Sequence, residues 1–147
     1  MDTNLKHKEN VIEMIHSYVQ SVGLKLTDAY DATKQSWTWR IGSATIHVYI
    51  ETMSSGSYSR DYLRIFSPLM QIPVGNEVVF YRYLLELNDS SLGVKLTIMP
   101  DSNWVYATYE RDIKGMDYDE LATCISDLEW SADKLDDELK AMFPNIY

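Results

Sequence analysis

The side chains in this sequence that can carry chemistry are three histidines, one cysteine and a dense run of carboxylates. Their spacing limits what they can do. His7 and His16 fall in one predicted helix but far apart along it, and His47 falls in a strand. No HExxH pair and no Cys/His cluster brings zinc ligands onto one face. There is no phosphate-binding P-loop, no GxGxxG after a strand and no GxSxG elbow, and the six glycines sit at predicted turns. Cys124 lies beside Leu121 and Leu128 on the apolar side of a predicted helix, the setting of a buried structural thiol rather than a nucleophile. The carboxylates crowd the last predicted helix: Asp117, Asp119, Glu120, Asp127, Glu129, Asp133, Asp136, Asp137 and Glu138, against Lys134 and Lys140. A solvated acidic face accounts for them. The reading is therefore not an enzyme, with no cofactor and no metal; the other reading has scattered His and Asp converging in space.

Charge narrows the partners. The 147 residues carry a formal net charge of −9, which repels nucleic acid and anionic membrane surfaces. A single cysteine excludes an internal disulfide and suits a reducing compartment. The opening MDTNLKHKEN lacks the apolar core of a signal peptide. No run approaches the roughly 18 apolar residues that span a bilayer. These features predict a soluble, cytoplasmic protein folded as one domain over residues 1–147.

The elements that must position these residues follow from periodicity. Asn4 is placed to cap a first helix carrying Leu5, Ile12, Ile15, Val19 and Val22, with Gly23 as its stop. TDAYDATKQS reads as an irregular connector, part of which can extend into a strand. WTWRIGSATIHVYIE reads as two strands about a Gly42-Ser43 turn, the second alternating Ile46, Val48 and Ile50 with polar neighbours. A third strand follows a polar loop at residues 54–56 and covers residues 62–66, with Pro68 and Pro73 expected to stop it. Asn76 opens a helix to about Asn88 that is apolar on nearly every side. A hairpin turns at residues 100–103. Asp117 and Glu120 are spaced as a capping box for a last helix to about Met142. The order is α-β-β-β-α-β-β-α: an α+β fold with a mainly antiparallel five-stranded sheet and three helices.

These words, in this order, resemble the YbjN-like proteins, which share the fold of the type III secretion chaperones of the Tir-chaperone type. The resemblance spans nearly the whole chain through VGLKL, LRIFSPLMQIP, YRYLLELNDSSLGVKLTI, NWVYATYERDI and DYDELATCISDLEWSADKLDDEL. All are packing patterns rather than catalytic signatures. The resemblance implies homodimers that bind polypeptide, have no catalytic site and use the middle helix at the dimer interface. Val79, Phe80, Tyr83 and Leu87 are the residues expected there. The alternative is that the first and last helices bury this segment within the monomer.

Two surfaces are candidates for an unidentified protein or peptide partner. If Ile46, Val48, Ile50, Leu63, Ile65, Leu96 and Ile98 face the helices, then His47, Tyr49, Tyr62, Arg64, Phe66, Lys95 and Thr97 face away, joined by Trp104 and Tyr106. That aromatic composition suits an interface, although aromatic pairs also stabilise sheets for structural reasons. Trp130 is the second candidate. It lies about 180° round the last helix from Leu121, on the acidic face, either covered by a loop or the first helix or contacting a partner. The leading function is a non-enzymatic homodimeric protein-binding module, a chaperone-like or regulatory adaptor. The alternative is a small acidic inhibitor or immunity-type protein that blocks a basic site.

Overall fold

The computed structural model describes residues 3–144, with side chains from residue 6 onward. Its order is α1 (Thr3–Ser21), α2 (Leu26–Ala29), β1 (Tyr30–Asp31), β2 (Ser36–Ile41), β3 (Ala44–Ser55), β4 (Tyr58–Gln71), α3 (Glu77–Ser90), β5 (Lys95–Ile98), β6 (Trp104–Asp112) and α4 (Tyr118–Met142). The α+β class and the order of long elements agree with the sequence. The added helix and strand are α2 and β1, both cut from the connector after Gly23 and too short to show a period. Asn4 lies inside α1 rather than capping it, and the Leu5 side chain lies outside those described. Gly23 ends α1 as expected: its φ of 84° lets the Leu24 amide reach back to the Val19 carbonyl at 3.2 Å.

The six strands form one antiparallel sheet in the order β1-β2-β3-β4-β6-β5. Alternation sorts their side chains. Trp37, Trp39, Ile46, Val48, Leu63, Ile65, Val105 and Ala107 are buried on one face, where α1 and α4 lie. α1 contributes Val11, Ile15 and Val19, and α4 contributes Leu121, Ile125, Leu128 and Leu139, to one core cluster. Met142, placed in that stripe by its spacing, is exposed at the frayed end of α4, as is Val22 at the end of α1. Ile98, at the end of the edge strand β5, is also exposed.

Pro68 does not stop β4. The strand continues to Gln71, with Pro68 opposite Tyr106 and a register shift between Pro68 and Met70. The β3–β4 ladder has already ended at the pair His47–Phe66. Beyond that point β4 has one partner strand, so the missing proline N–H removes nothing from a second ladder. A bulge then absorbs the extra residue.

The capping box at the start of α4 is present. Asp117 Oδ1 accepts from the Glu120 amide at 2.8 Å, and Glu120 Oε2 accepts from the Asp117 amide at 3.1 Å. The acidic face beyond it is not wholly solvated. Glu129 and Asp136 are buried. Glu129 accepts hydrogen bonds from the Tyr18 hydroxyl of α1 and, at 3.1 Å, from Trp39 Nε1 of β2. Asp136 accepts from Ser43 Oγ at 2.8 Å and pairs with Lys140 at 2.6 Å. Ser43 follows Gly42, whose φ is 57° and whose missing Cβ would stand 2.6 Å from Asp133 Oδ1. The positive φ favours glycine at this turn, and a Cβ here would also displace the exposed Asp133 carboxylate.

Two buried donors depend on Glu129, and an orphaned buried donor costs about 1–3 kcal/mol. Glu129→Ala should therefore lower stability by about 2 kcal/mol or more, and Glu129→Gln, which keeps one acceptor oxygen, by less. Urea unfolding midpoints at unchanged slope measure both. An unchanged midpoint in Glu129→Ala would show that the carboxylate adds no net stability.

Candidate protein-binding surfaces

The face of the sheet away from α1 and α4 carries the aromatic set expected from alternation. Antiparallel register places His47 beside Phe66 and Tyr49 beside Arg64. The His47 and Phe66 rings stack with centroids 4.8 Å apart and planes 18° from parallel. Tyr49 and Tyr106 meet Phe66 edge-on from two sides, each at 5.9 Å. Phe66 is thus the hub of a four-ring cluster spread over β3, β4 and β6. The hydrogen bonds and ring contacts of His47, Tyr49, Arg64 and Phe66 all run to other sheet residues. Each of the four is half-buried, shielded by its sheet neighbours and still open on its outer side.

One cation organises the neighbouring row. Arg64 pairs with Glu51 at 2.9 Å and Glu110 at 2.8 Å, and its guanidinium sits 5.5 Å from the Tyr49 ring centroid. These partly exposed pairs add little net stability; they orient the Tyr49 ring. Burial holds the Tyr49 hydroxyl above the usual tyrosine range, and the Arg64 charge pulls it the other way. Tyr62 shares the face, opposite Glu51 and Asp112, and Trp104 stands at the end of β6. Among the described residues neither joins the ring cluster. His47 and Arg64 were legible as outward-facing, but their place at the hub depends on register between strands, which one strand's pattern does not carry.

Helix α3 departs from its expected burial. Phe80 and Leu84 are in the core, with Phe80 packed edge-on against Phe143 at 5.0 Å. Phe80 is therefore a core residue rather than an interface residue. Tyr83 and Leu87 are half-buried and packed against the core, and Val79 is exposed. The opposite side of the helix, Val78, Tyr81 and Leu85, is open: Val78 is 81% and Leu85 69% exposed. Neither α1 nor α4 covers that side, so burial within the monomer does not explain it. Trp130 is also uncovered, at 67% exposed. The expected screen of a loop or α1 is missing because α1 packs on the far side of α4, at Tyr18 and Glu129.

The histidines do not converge. His16 Nδ1 accepts from Trp37 Nε1 at 3.1 Å and packs against Tyr30, a structural arrangement. His47 belongs to the bare face, and His7 lines a separate polar pocket with Arg60 and Lys114. Cys124 is buried. No three His, Cys, Asp or Glu among the described residues are grouped to hold a metal. No described helix is long and apolar enough to cross a membrane.

No protein-family model matches the chain, and no curated protein sequence matches it. Solved structures do. A chain of the ExsC–ExsE complex aligns at TM-score 0.65 and 11% identity, over 93% of this chain and 96% of that one. YbjN from E. coli aligns at 0.62 and 12%, over 89% and 92%. The Yersinia pestis type III secretion chaperone SycH, in complex with a fragment of YscM2, aligns at 0.54 and 15%, over 84% and 97%. The fold is that of YbjN and the type III secretion chaperones. Within this secretion-chaperone fold, the aromatic face and the open side of α3 are features of this chain's own residues.

Burial against Phe66 depresses the His47 pKa below 6.5, because desolvation disfavours the imidazolium. The stabilisation tied to the neutral ring is complete above pH 6.5 and is lost as pH falls from there through the folded-state value. NMR titration of the His47 ring protons should give a midpoint under that of a free imidazole, and Phe66→Ala, which readmits water, should raise it. A midpoint unmoved by Phe66→Ala would mean the stack does not shield the ring.

Proposed function

We propose that this chain is a non-enzymatic, homodimeric protein-binding module, a chaperone-like or regulatory adaptor that holds a segment of another polypeptide. The observation that carries the reading is the bare aromatic sheet face centred on Phe66. Large rings bury about 150–250 Å² each and give up little rotamer freedom on binding, so they suit anchoring a partner. Solved neighbours support it: ExsC with ExsE, SycH with a fragment of YscM2, and the HopA1–SchA chaperone–effector complex are all assemblies with another protein.

The sheet edges favour an extended client. At β5, the Asn88 side chain of α3 accepts from the Leu96 amide at 2.7 Å and donates to its carbonyl at 3.1 Å. It occupies the groups a new strand would use. Among the described residues β2 has no such cover. Its outer neighbour β1 pairs only with Ser36 and Trp37, leaving residues 38–41 as an open edge for strand addition. A client entering there has the aromatic face beside it.

Self-association rests on α3. A helix apolar all round is stable in water only when further surface covers it, and Val78, Tyr81 and Leu85 form a stripe opposite the core side. Burying one such aliphatic side chain contributes about 1.5–3 kcal/mol. The acidic-blocker alternative draws on the charge of α4. Steep loss of affinity with salt would favour it, because charge-driven association is screened and apolar clamping is not.

Tyr49→Ser with Phe66→Ser should abolish client capture while the variant still melts cooperatively; capture intact with stability lost would make the cluster a structural element only. Light scattering should give twice the 17.0 kDa chain mass, and Leu85→Asp should return it to the single-chain mass without lowering monomer stability. A wild-type protein of single-chain mass at micromolar concentration would remove the dimer from the proposal.

A further inference from the structure

A groove of about 460 Å³ lies between the α3–β5 connection and the exposed side of α4, away from the aromatic sheet face. Its floor is Leu87, Val94, Leu96 and Leu135, and its rim carries Trp130 and Leu92. Leu92 is 94% exposed. Leu92 and Trp130 stand exposed on either side of this apolar trough. The Trp130 ring is held from beneath by Lys134, whose Nζ is 4.9 Å from the ring centroid.

Charge selects the occupant. Lys134 is the cation of the lining, and it is shared between the Trp130 ring and Glu138, at 3.8 Å. Asp127, on the same wall, is exposed and has no hydrogen bond or ion pair among the described residues. On the α4 wall Asp127 and Glu138 outnumber Lys134, while Lys95 lies at the opposite, loop side on the Asn88 and Ser91 carbonyls, so the potential along the α4 wall is negative. An acidic segment is repelled. A second copy of this chain is a poor occupant too, because it brings a net charge of −9 to an acidic rim.

We propose that the α3–α4 groove is a second protein-docking site, which takes a short segment holding one aliphatic or aromatic side chain flanked by arginine or lysine. The apolar side chain fills the trough between Leu92 and Trp130. A flanking cation pairs with Asp127. The site goes beyond the sheet-face reading and stands if that reading fails, since the two surfaces share no residue.

The test uses the full chain and a panel of fluorescein-labelled heptapeptides. Each holds a central leucine or phenylalanine, flanked by arginine in half the panel and by glutamate in the other half. Anisotropy should show the arginine-flanked peptides binding at least about tenfold tighter. Trp130→Ala, Asp127→Lys and Leu92→Glu should each weaken them by about tenfold or more, while Tyr49→Ser with Phe66→Ser leaves them unchanged. All three groove positions are exposed, so thermal melts should match wild type. Equal binding of both halves, no binding by either, or affinity untouched by the groove variants would overturn the proposal. Loss confined to the Tyr49/Phe66 variant would assign the peptides to the sheet face. Conversion of a dimer to single chains by Trp130→Ala would assign the groove to self-association.

Discussion

A sheet with helices on only one of its faces has to solve its second face with its own side chains. Here that constraint shapes β3, β4 and β6 together. Inward positions are aliphatic and sealed by α1 and α4; outward positions cannot be aliphatic without exposing a broad greasy surface, nor wholly charged without losing cross-strand packing. The answer is rings set edge-to-face around Phe66, with Arg64 and its two carboxylates as the adjoining row. Such a surface is stable enough to stand in water and apolar enough to gain from being covered. The fold and the bare aromatic face therefore come from the same requirement.

The helical layer is fastened by polar contacts as well as by burial. Glu129 reaches α1 through Tyr18 and β2 through Trp39, and Asp136 reaches the β2–β3 turn through Ser43. Both sit on α4, so one helix ties down the N-terminal helix and the outer strands at once. Of the eight acids within α4, two are buried as fasteners, Glu120 closes the capping box, and the other five are exposed. The placement also favours glycine at Gly42, whose φ of 57° turns the chain under Asp133 so that Ser43 meets Asp136.

How much of this was legible in the sequence depended on whether the signal was local. The alternation through Ile46, Val48 and Ile50 placed β3 and its faces, and the Asp117–Glu120 pair placed the start of α4, because both patterns complete themselves within a few residues. Pro68 misled because its tolerance depends on where the β3–β4 ladder ends, and that is set by a strand twenty residues earlier. Trp130 misled for a similar reason: whether α1 covers it depends on which side of α4 the Tyr18–Glu129 contact draws α1 to. The apolar character of α3 was plain, but its distribution was not. Phe80 and Leu84 serve the monomer and Val78 and Leu85 do not. The ring hub was half legible, since alternation gave the outward set and only register could bring His47 onto Phe66.

The distribution of charge and apolar surface bears on the proposed contacts. With a net charge of −9, two copies repel one another unless the acids are kept off the contact. α3 does this: its open stripe of Val78, Tyr81 and Leu85 is apolar, with Arg82 and Glu86 paired to each other at 2.9 Å beside it. The acids gather instead on α4, where at an ionic strength near 0.15 M their influence extends about 8 Å. Copies that meet through α3 would leave the α4 acids free to discriminate among other partners. The sheet face, whose Arg64 is balanced by Glu51 and Glu110, adds little charge of its own. Three surfaces with three different chemistries, set on separate sides of one core, need not compete for the same occupant.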